Sequence, residues 1–286
     1  MDRRRKLLAN QYEATAHAAI QKVVEGSECG VYPKVRVSDA VDIDRSGLSN
    51  EVFSYALKAH FDFVIADKSS RVRFAVEFDG PTHDTPEGRR KDAWKNEICE
   101  RLGLPLLRVT ASYLAEENES MSLLSWLTEL WFKFEGFLDA QESGAIPRDE
   151  PFGYAFSSFD YFLRYRTSLW AAHRVGKLKS PPIAYVHTFD PSISRFVAAH
   201  FLHVPNDSFV VGEASCSQNE LFPIEGDELA SELATVEAFN KLVRLQYGNY
   251  HPLTRDEAKA CYSRYTNLIN SSGMKYGFGC GPFPNK

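Results

Sequence analysis

Three acidic side chains, Asp62, Glu77 and Asp79, stand in or beside two strongly apolar segments, and their spacing is that of a site for a hard cation. Asp62 interrupts His60-Phe61-Asp62-Phe63-Val64-Ile65-Ala66. Glu77 nearly closes Arg71-Val72-Arg73-Phe74-Ala75-Val76-Glu77-Phe78. Both runs read as strands, and Asp67-Lys68-Ser69-Ser70 between them is a hairpin connection. An antiparallel turn brings Asp62, near the start of one strand, and Glu77, near the end of the other, to the same sheet end. Glu77 and Asp79 are two apart, so in extended chain they share a face. Carboxylates gathered there are costly without a cation, and Mg²⁺ or Mn²⁺ takes carboxylate, carbonyl and water oxygens. His83, just after Gly80-Pro81-Thr82, is expected to reach the same pocket. The helix that follows carries Arg89, Arg90, Lys91 and Lys95. Lys91 and Lys95 are i,i+4 and close in angle to Ile98 and Leu102, which predicts an inward flank for both. Activated water, a cation at the phosphoryl group and an amine are the parts that phosphodiester hydrolysis needs.

Phe61-Asp62-Phe63-Val64-Ile65, Val76-Glu77-Phe78-Asp79-Gly80-x-x-His83, Arg90-x-Asp92-x-x-Lys95 and Gly103-Leu104-Pro105-Leu106-Leu107-Arg108 together resemble the PD-(D/E)XK nuclease superfamily. The likeness is to an uncharacterised bacterial branch allied to very-short-patch-repair-like and restriction-like endonucleases. It spans roughly residues 7–115 and includes the Glu13 helix and Val31-Tyr32-Pro33-Lys34-Val35-Arg36. It implies that Asp62, Glu77 and the Phe78 backbone carbonyl hold the metal. Glu13 would be the helix carboxylate that reaches water beside it. Asp79 occupies the place where the superfamily usually has its lysine, so Lys95 or Lys91 would supply the amine from the helix. His83 and Asp92 would be accessory polar residues. The implied substrate is DNA, with RNA as the alternative, in bacterial defence or DNA processing. Two other readings stay open: a catalytically silent nuclease-fold module for binding or assembly, and an RNA-cleaving effector.

These residues need a frame. Residues 4–25 are expected to form a helix with Leu8, Tyr12, Ala16, Ala19, Ile20 and Val23 on one face and Glu13 on the flank. Val31–Val37 alternates as a strand, with Pro33 marking an edge or an irregular start. A helix is expected from about Glu87 to Leu102, stopped by Gly103 and Pro105. Leu106–Val109 reads as a short buried strand, and Ser120–Ala140 has helical periodicity. The order fits an α/β fold: a restriction-endonuclease-like mixed sheet flanked by helices, over residues 1–140. Residues 141–151 read as a linker. Residues 152–286 are expected to be a smaller α+β accessory domain, with strands near Ile183–His187 and Phe209–Val211 and helices near Glu228–Tyr247 and Thr254–Asn270. Its assigned tasks are reading the target, docking a partner protein or self-association.

Within it, the aromatic run from Phe152 to Trp170, with Arg164, Arg166 and Arg174, is either a hydrophobic core or a base-stacking strip; core is the preferred reading. His200 and His203, placed on a helix, are packing or surface residues before they are a metal pair. Gly277-Phe278-Gly279-Cys280-Gly281 reads as a flexible tail. There is no phosphate-binding Gly-x-x-x-x-Gly-Lys-Ser/Thr loop, no nucleophile elbow and no His-Glu-x-x-His motif. Five cysteines without a Cys-x-x-Cys pair give neither a disulfide framework nor a zinc ribbon. No apolar run reaches membrane-spanning length and no signal-type stretch follows the basic start, so a cytoplasmic protein without a membrane partner is expected. Net charge is −5; tight nonspecific DNA binders are usually basic, so basic residues would have to be concentrated along one groove.

Overall fold

The computed structural model describes residues 11–80, 85–118, 121–155, 160–272 and 279–284. His83, Leu8, Phe156, Phe159 and Gly277-Phe278 lie outside the described residues. The chain divides into two compact units, one of residues 1–153 with 219–223, the other of residues 154–218 with 224–286.

The first unit opens with helix α1 (Gln11–Val24) and strand β1 (Cys29–Arg36), followed by two short helices, α2 (Val37–Ala40) and α3 (Asn50–Ala56). The hairpin strands are β2 (His60–Asp67) and β3 (Val72–Phe78), which helix α4 (Pro86–Leu102) and strand β4 (Leu106–Val109) follow. A two-stranded ribbon, β5 (Glu116–Asn118) and β6 (Met121–Ser122), leads into the long helix α5 (Leu123–Glu142). The sheet runs β1-β2-β3-β4, antiparallel except for the parallel β3–β4 pair, so it is mixed. One face buries Val64, Ala75 and Leu106 against Val52 of α3 and Ile98 and Cys99 of α4. The other turns Phe63 toward His17 of α1 and Phe74 onto Trp131 of α5. Alternation along β2 and β3 therefore feeds two cores at once, which explains why both strands are apolar nearly throughout.

Residues 219–223 return to this unit. Glu220 exchanges backbone hydrogen bonds with Leu106, covering the outer edge of β4, and Phe222 packs on Phe74 and Trp131. Nothing in the local sequence announces this strap. The α1 stripe is also turned from the expected one. Tyr12 is 57% exposed, whereas Glu13 is buried with Ala16, Ile20 and Val24. The expected linker begins inside α5, and Gln141 donates its side-chain amide to the carbonyls of Pro147 and Glu150.

The second unit contains helix α6 (Leu163–Arg174), strands β7 (Ala184–Asp190), β8 (Arg195–Val204) and β9 (Ser208–Cys216), helix α7 (Gly226–Gln246), strand β10 (Leu253–Thr254), helix α8 (Arg255–Ser272) and strand β11 (Gly279–Cys280). Its sheet, β10-β9-β8-β7-β11, is antiparallel throughout. Leu202, Val204 and Val210 meet α6 and α7 on one face; Phe201, Phe209 and Val211 meet α8 on the other. The unit is an antiparallel sheet with helices on both faces, and two readings are corrected. His200 and His203 lie on β8, not on a helix, so their spacing of three sends them to opposite faces and they form no metal pair. Gly279-Cys280 is no loose tail: it is paired with His187 and Val186 of β7. The aromatic run is core at Tyr161, Phe162 and Tyr165, while Trp170 is exposed. Among the described residues no helix is long and apolar enough to cross a membrane.

The backbone of α7 presses directly on β9 at Gly212, where a Cβ would overlap the Ala234 carbonyl and the Ala238 nitrogen. Gly212→Ala is therefore expected to cost about 1–3 kcal/mol, the range for overpacking, read as a lowered urea midpoint. Unchanged stability would show that helix and strand are not in contact there.

Candidate functional site

One level of the first unit's sheet is charged from edge to edge. Glu77 on β3 pairs with Arg108 on β4. One step beyond the pair Phe63–Val76 stand Asp62 and Glu77, level on adjacent strands. Between the pairs Pro33–Phe63 and Val35–Phe61 stand Lys34 and Asp62. The sequence across the strands is thus Lys34, Asp62, Glu77, Arg108. Like charges directly opposite each other destabilise a ladder, so the two central carboxylates require cations: Lys34 in the row supplies one and Lys95 of α4 the other.

Lys34 answers Asp62. Its amine lies 2.6 Å from Asp62 Oδ1 and 3.0 Å from Glu13 Oε1, joining β1, β2 and the buried turn of α1. The other Asp62 oxygen, Oδ2, accepts from the Phe78 backbone N–H at 2.8 Å. Lys34 reaches this position with a left-handed backbone, φ +55°. For a residue with a Cβ that conformation costs roughly 1–2 kcal/mol, and it follows Pro33, which has no N–H to give the ladder. Burial pulls the Lys34 pKa down, but the hydrogen bonds that its amine donates to Asp62 and Glu13, with the charges of both, outweigh it and hold the pKa above its ordinary value.

Lys95 answers Glu77. Thr85 caps α4, its hydroxyl accepting from Gly88 N, Pro86 occupies the first turn, and Gly103 ends the helix with φ +69°. Within these limits Lys95 shares the inward face with Ile98 and Cys99 and is itself 6% exposed. Its amine is 2.7 Å from Glu77 Oε1, donates to the His60 carbonyl at 3.0 Å and lies over the Phe61 ring. Glu77 is 3% exposed, and Oε1 has no well-aligned hydrogen-bond donor. Burial raises the pKa of Glu77; Lys95 opposes the rise and Asp62 adds to it.

Arg108 closes the row. Its guanidinium contacts Asp79 Oδ1 at 2.8 Å, Asp92 Oδ1 at 3.1 Å and Asn96 Oδ1 at 2.9 Å. Burial alone would depress this arginine; Asp79 and Asp92 raise it instead. Here the expectations need correcting. Asp79 is sealed against Arg108, with both side chains 2% exposed, and is not an open carboxylate beside Asp62 and Glu77. Asp92 serves the same guanidinium. Lys91 is on the outside of α4, paired with Glu87 at 2.7 Å, so only Lys95 of the two lysines faces inward. His83 falls outside the described residues.

Lys34, Arg108 and Asn96 were given no role from sequence. An arginine inside the apolar run Leu106-Leu107-Arg108-Val109 was the available signal, because a buried guanidinium requires carboxylates. For Lys34 alternation gave no signal, since its reach depends on the unusual φ.

Among the described residues no three His, Cys, Asp or Glu side chains form a group that could hold a metal ion. Asp62 and Glu77 form a two-carboxylate set with the Phe78 backbone beside it. Mg²⁺ commonly makes do with one or two carboxylates and keeps several waters, so two carboxylates are within its range. Both already face lysines, however, and an ion there would have to compete with Lys34 and Lys95. A cavity of about 350 Å³ also opens against Lys95, lined by Tyr55 of α3, by Thr85, the cap of α4, and by Gly88, Lys91 and Asp92 of α4.

Residues 5–124, which hold Glu13, Lys34, Asp62, Glu77, Lys95 and Arg108, match a family described as "Protein of unknown function (DUF2726)". No curated protein and no solved structure is significantly similar to the chain.

Removing one member of a buried pair leaves the other charge uncompensated, at about 3–5 kcal/mol, whereas apolar replacement of both is often neutral or better. Lys95→Met is expected to destabilise the protein by that amount. Glu77→Leu with Lys95→Met should recover most of it, measured by urea unfolding. A double variant as unstable as the single one would mean that the pair holds the fold together by itself.

Proposed function

We propose that the first unit is a metal-dependent nuclease that hydrolyses DNA phosphodiester bonds. The observation that carries this reading is the level placement of Asp62 and Glu77 on adjacent buried strands, with an amine from β1 on one side and an amine from α4 on the other. Such a row contributes little net stability and holds a left-handed lysine, an expense that a chemical task explains. The resemblance of the motifs around these residues to PD-(D/E)XK nucleases points the same way.

Asp62 and Glu77, with the Phe78 carbonyl, would hold Mg²⁺ or Mn²⁺. When bound, the ion would supply Lewis-acid polarisation of the phosphoryl oxygens and lower the pKa of a nearby water. Glu13 orients the Lys34 amine, and that amine is placed to stabilise negative charge developing on the phosphoryl group. Lys95 holds Glu77 in place and presents positive charge to the cavity at the start of α4. Arg108 is too deeply buried to meet substrate. It fixes the ends of β3 and β4 against α4 through Asp79 and Asp92, and so sets where Glu77 stands. Residues 1–150 hold 20 basic and 26 acidic side chains, which favours brief, salt-sensitive contact with a phosphate backbone over tight nonspecific binding.

The silent-module reading rests on one observation: each carboxylate of the row already faces a protein cation. Digestion of plasmid, single-stranded DNA and RNA with Mg²⁺ or Mn²⁺ separates the readings. Wild type is expected to cleave DNA, with Asp62→Ala and Glu77→Ala each losing at least about a hundredfold and Lys34→Ala a comparable factor, the scale of removing a preorganised charge from a transition state. Equal cleavage by all preparations would place the activity elsewhere. Cleavage of RNA alone would select the effector reading. No cleavage, together with no Mn²⁺ binding that depends on Asp62, would select the silent module.

A further inference from the structure

We propose that the second unit contains a binding pocket for a planar nitrogen heterocycle whose edge carries two adjacent N–H donors, the chemistry of a guanine ring. A cavity of about 360 Å³ opens between α6, the start of β7 and α7. Its walls differ in character. One is apolar: Trp170 and Ile183 are each 45% exposed at the rim, and Leu169 and Tyr185 continue the wall inward. Large apolar side chains left open around a concave surface are what a flat ring stacks against. The facing wall is polar and comes from one turn of α7, through Ser231, Glu232 and Thr235.

The polar wall is fixed before any ligand arrives. Arg166 of α6 is held between Asp160 and Glu232, so its charge is matched and the Glu232 carboxylate is anchored at the cavity. Among the described lining residues Arg166 is the sole lysine or arginine, so the lining offers no spare cation to a phosphate group. His200 forms the floor. Its Nε2 lies 3.2 Å from the Pro182 carbonyl and its Nδ1 lies 2.8 Å from the Thr235 hydroxyl. A carbonyl only accepts, so Nε2 carries the proton, and Nδ1 shares the one Thr235 hydroxyl proton with the Ser231 carbonyl, which is 3.1 Å from that oxygen. Burial pushes the pKa of His200 down to about 4, which keeps the ring neutral and ties β8, α7 and the approach to β7 together.

Glu232 decides the class of ligand. Burial raises its pKa to about 7; Arg166 opposes the rise and Glu228 adds to it. Its Arg166 contact is made through Oε1, and a carboxylate has about four lone-pair directions. Above about pH 7, where Glu232 is charged, a ligand with N–H donors stabilises it and a ligand with an acceptor at that edge leaves the carboxylate facing a lone pair. Below it the protonated acid has an O–H donor of its own, so the ligands are compared on the alkaline side. Guanine presents a ring N–H beside an amine. Adenine presents an acceptor beside its amine, and inosine lacks the amine. A site built around such a hydrogen bond rejects the analogue that cannot make it.

The test uses the full chain titrated with guanosine, inosine and adenosine, followed by ligand-detected NMR and calorimetry. Guanosine is expected to bind more tightly than inosine, and adenosine more weakly than either. Trp170→Ala, a change at an exposed position, and Glu232→Gln are each expected to weaken guanosine at least ~10-fold, while Asp62→Ala leaves it unchanged. If Glu232→Gln disturbs the fold by releasing Arg166, Trp170→Ala and the ranking of the three nucleosides still decide. No guanosine binding at about millimolar concentration, binding that survives Trp170→Ala, or adenosine binding as tightly as guanosine would overturn the proposal. None of these outcomes depends on whether the first unit is a nuclease.

Discussion

Asp62 and Glu77 repel each other across one rung of a buried ladder, and much of the first unit is arranged around that repulsion. A carboxylate opposite a carboxylate opposes strand pairing, and burial makes each charge dearer still. Positive charge enters from the two sides available to a sheet. Lys34 comes along the sheet from β1, with Glu13 of α1 holding its amine, and Lys95 comes down onto it from α4. Both routes constrain the backbone. The first needs a left-handed residue in a strand; the second needs α4 to begin and end where Thr85 and Gly103 set it, since a rotation by one residue would turn Lys95 away. Arg108 at the end of the row has its own requirement, met by Asp79 and Asp92.

The second unit solves a simpler problem. Its antiparallel sheet is covered on both faces, and the close contact at Gly212 lets α7 approach β9 to backbone distance. At one cavity of this unit Arg166 lies between Asp160 and Glu232, and a neutral His200 bridges a carbonyl and a hydroxyl. Polar groups fixed beside an open apolar wall are a different arrangement from the charged row of the first unit. The row places like charges level with each other, whereas the cavity leaves a recess of ligand size. Under the two proposals they accordingly take different partners: a hard cation and a phosphodiester in one case, a flat heterocycle in the other.

Much of the first unit could be read along the chain because its signals are local. The apolar runs of β2 and β3, the Asp-Lys-Ser-Ser turn, the cap and stop of α4 and the periodicity of α5 each depend on neighbours within a few residues. The positions of Asp62 and Glu77 followed from the hairpin, and the inward turn of Lys95 from helical angle. Local reading failed where a side chain's partner is distant. Asp79 would share a face with Glu77 in extended chain, but β3 ends at Phe78, and a buried arginine takes the carboxylate. Lys91 has nearly the angle of Lys95, but it lies one turn closer to the open end of α4, where the sheet no longer covers it. In the second unit β8 was missed and its histidines were assigned to a helix, because a strand buried on both faces lacks the alternation that marks a half-buried one.

The amino-acid sequence by itself determined the hairpin, the limits of α4 and the course of α5, and which acidic residues the hairpin brings level, because turn chemistry, capping and hydrophobic period act over short spans. Tertiary structure alone decided which cation meets which carboxylate. Lys34 rather than Lys91 faces the site, Asp79 belongs to Arg108, and residues 219–223 close the edge of β4 from far along the chain. The physical reason is that a buried charge is satisfied by whatever opposite charge folding brings within a few ångströms, and separation along the chain does not encode that distance.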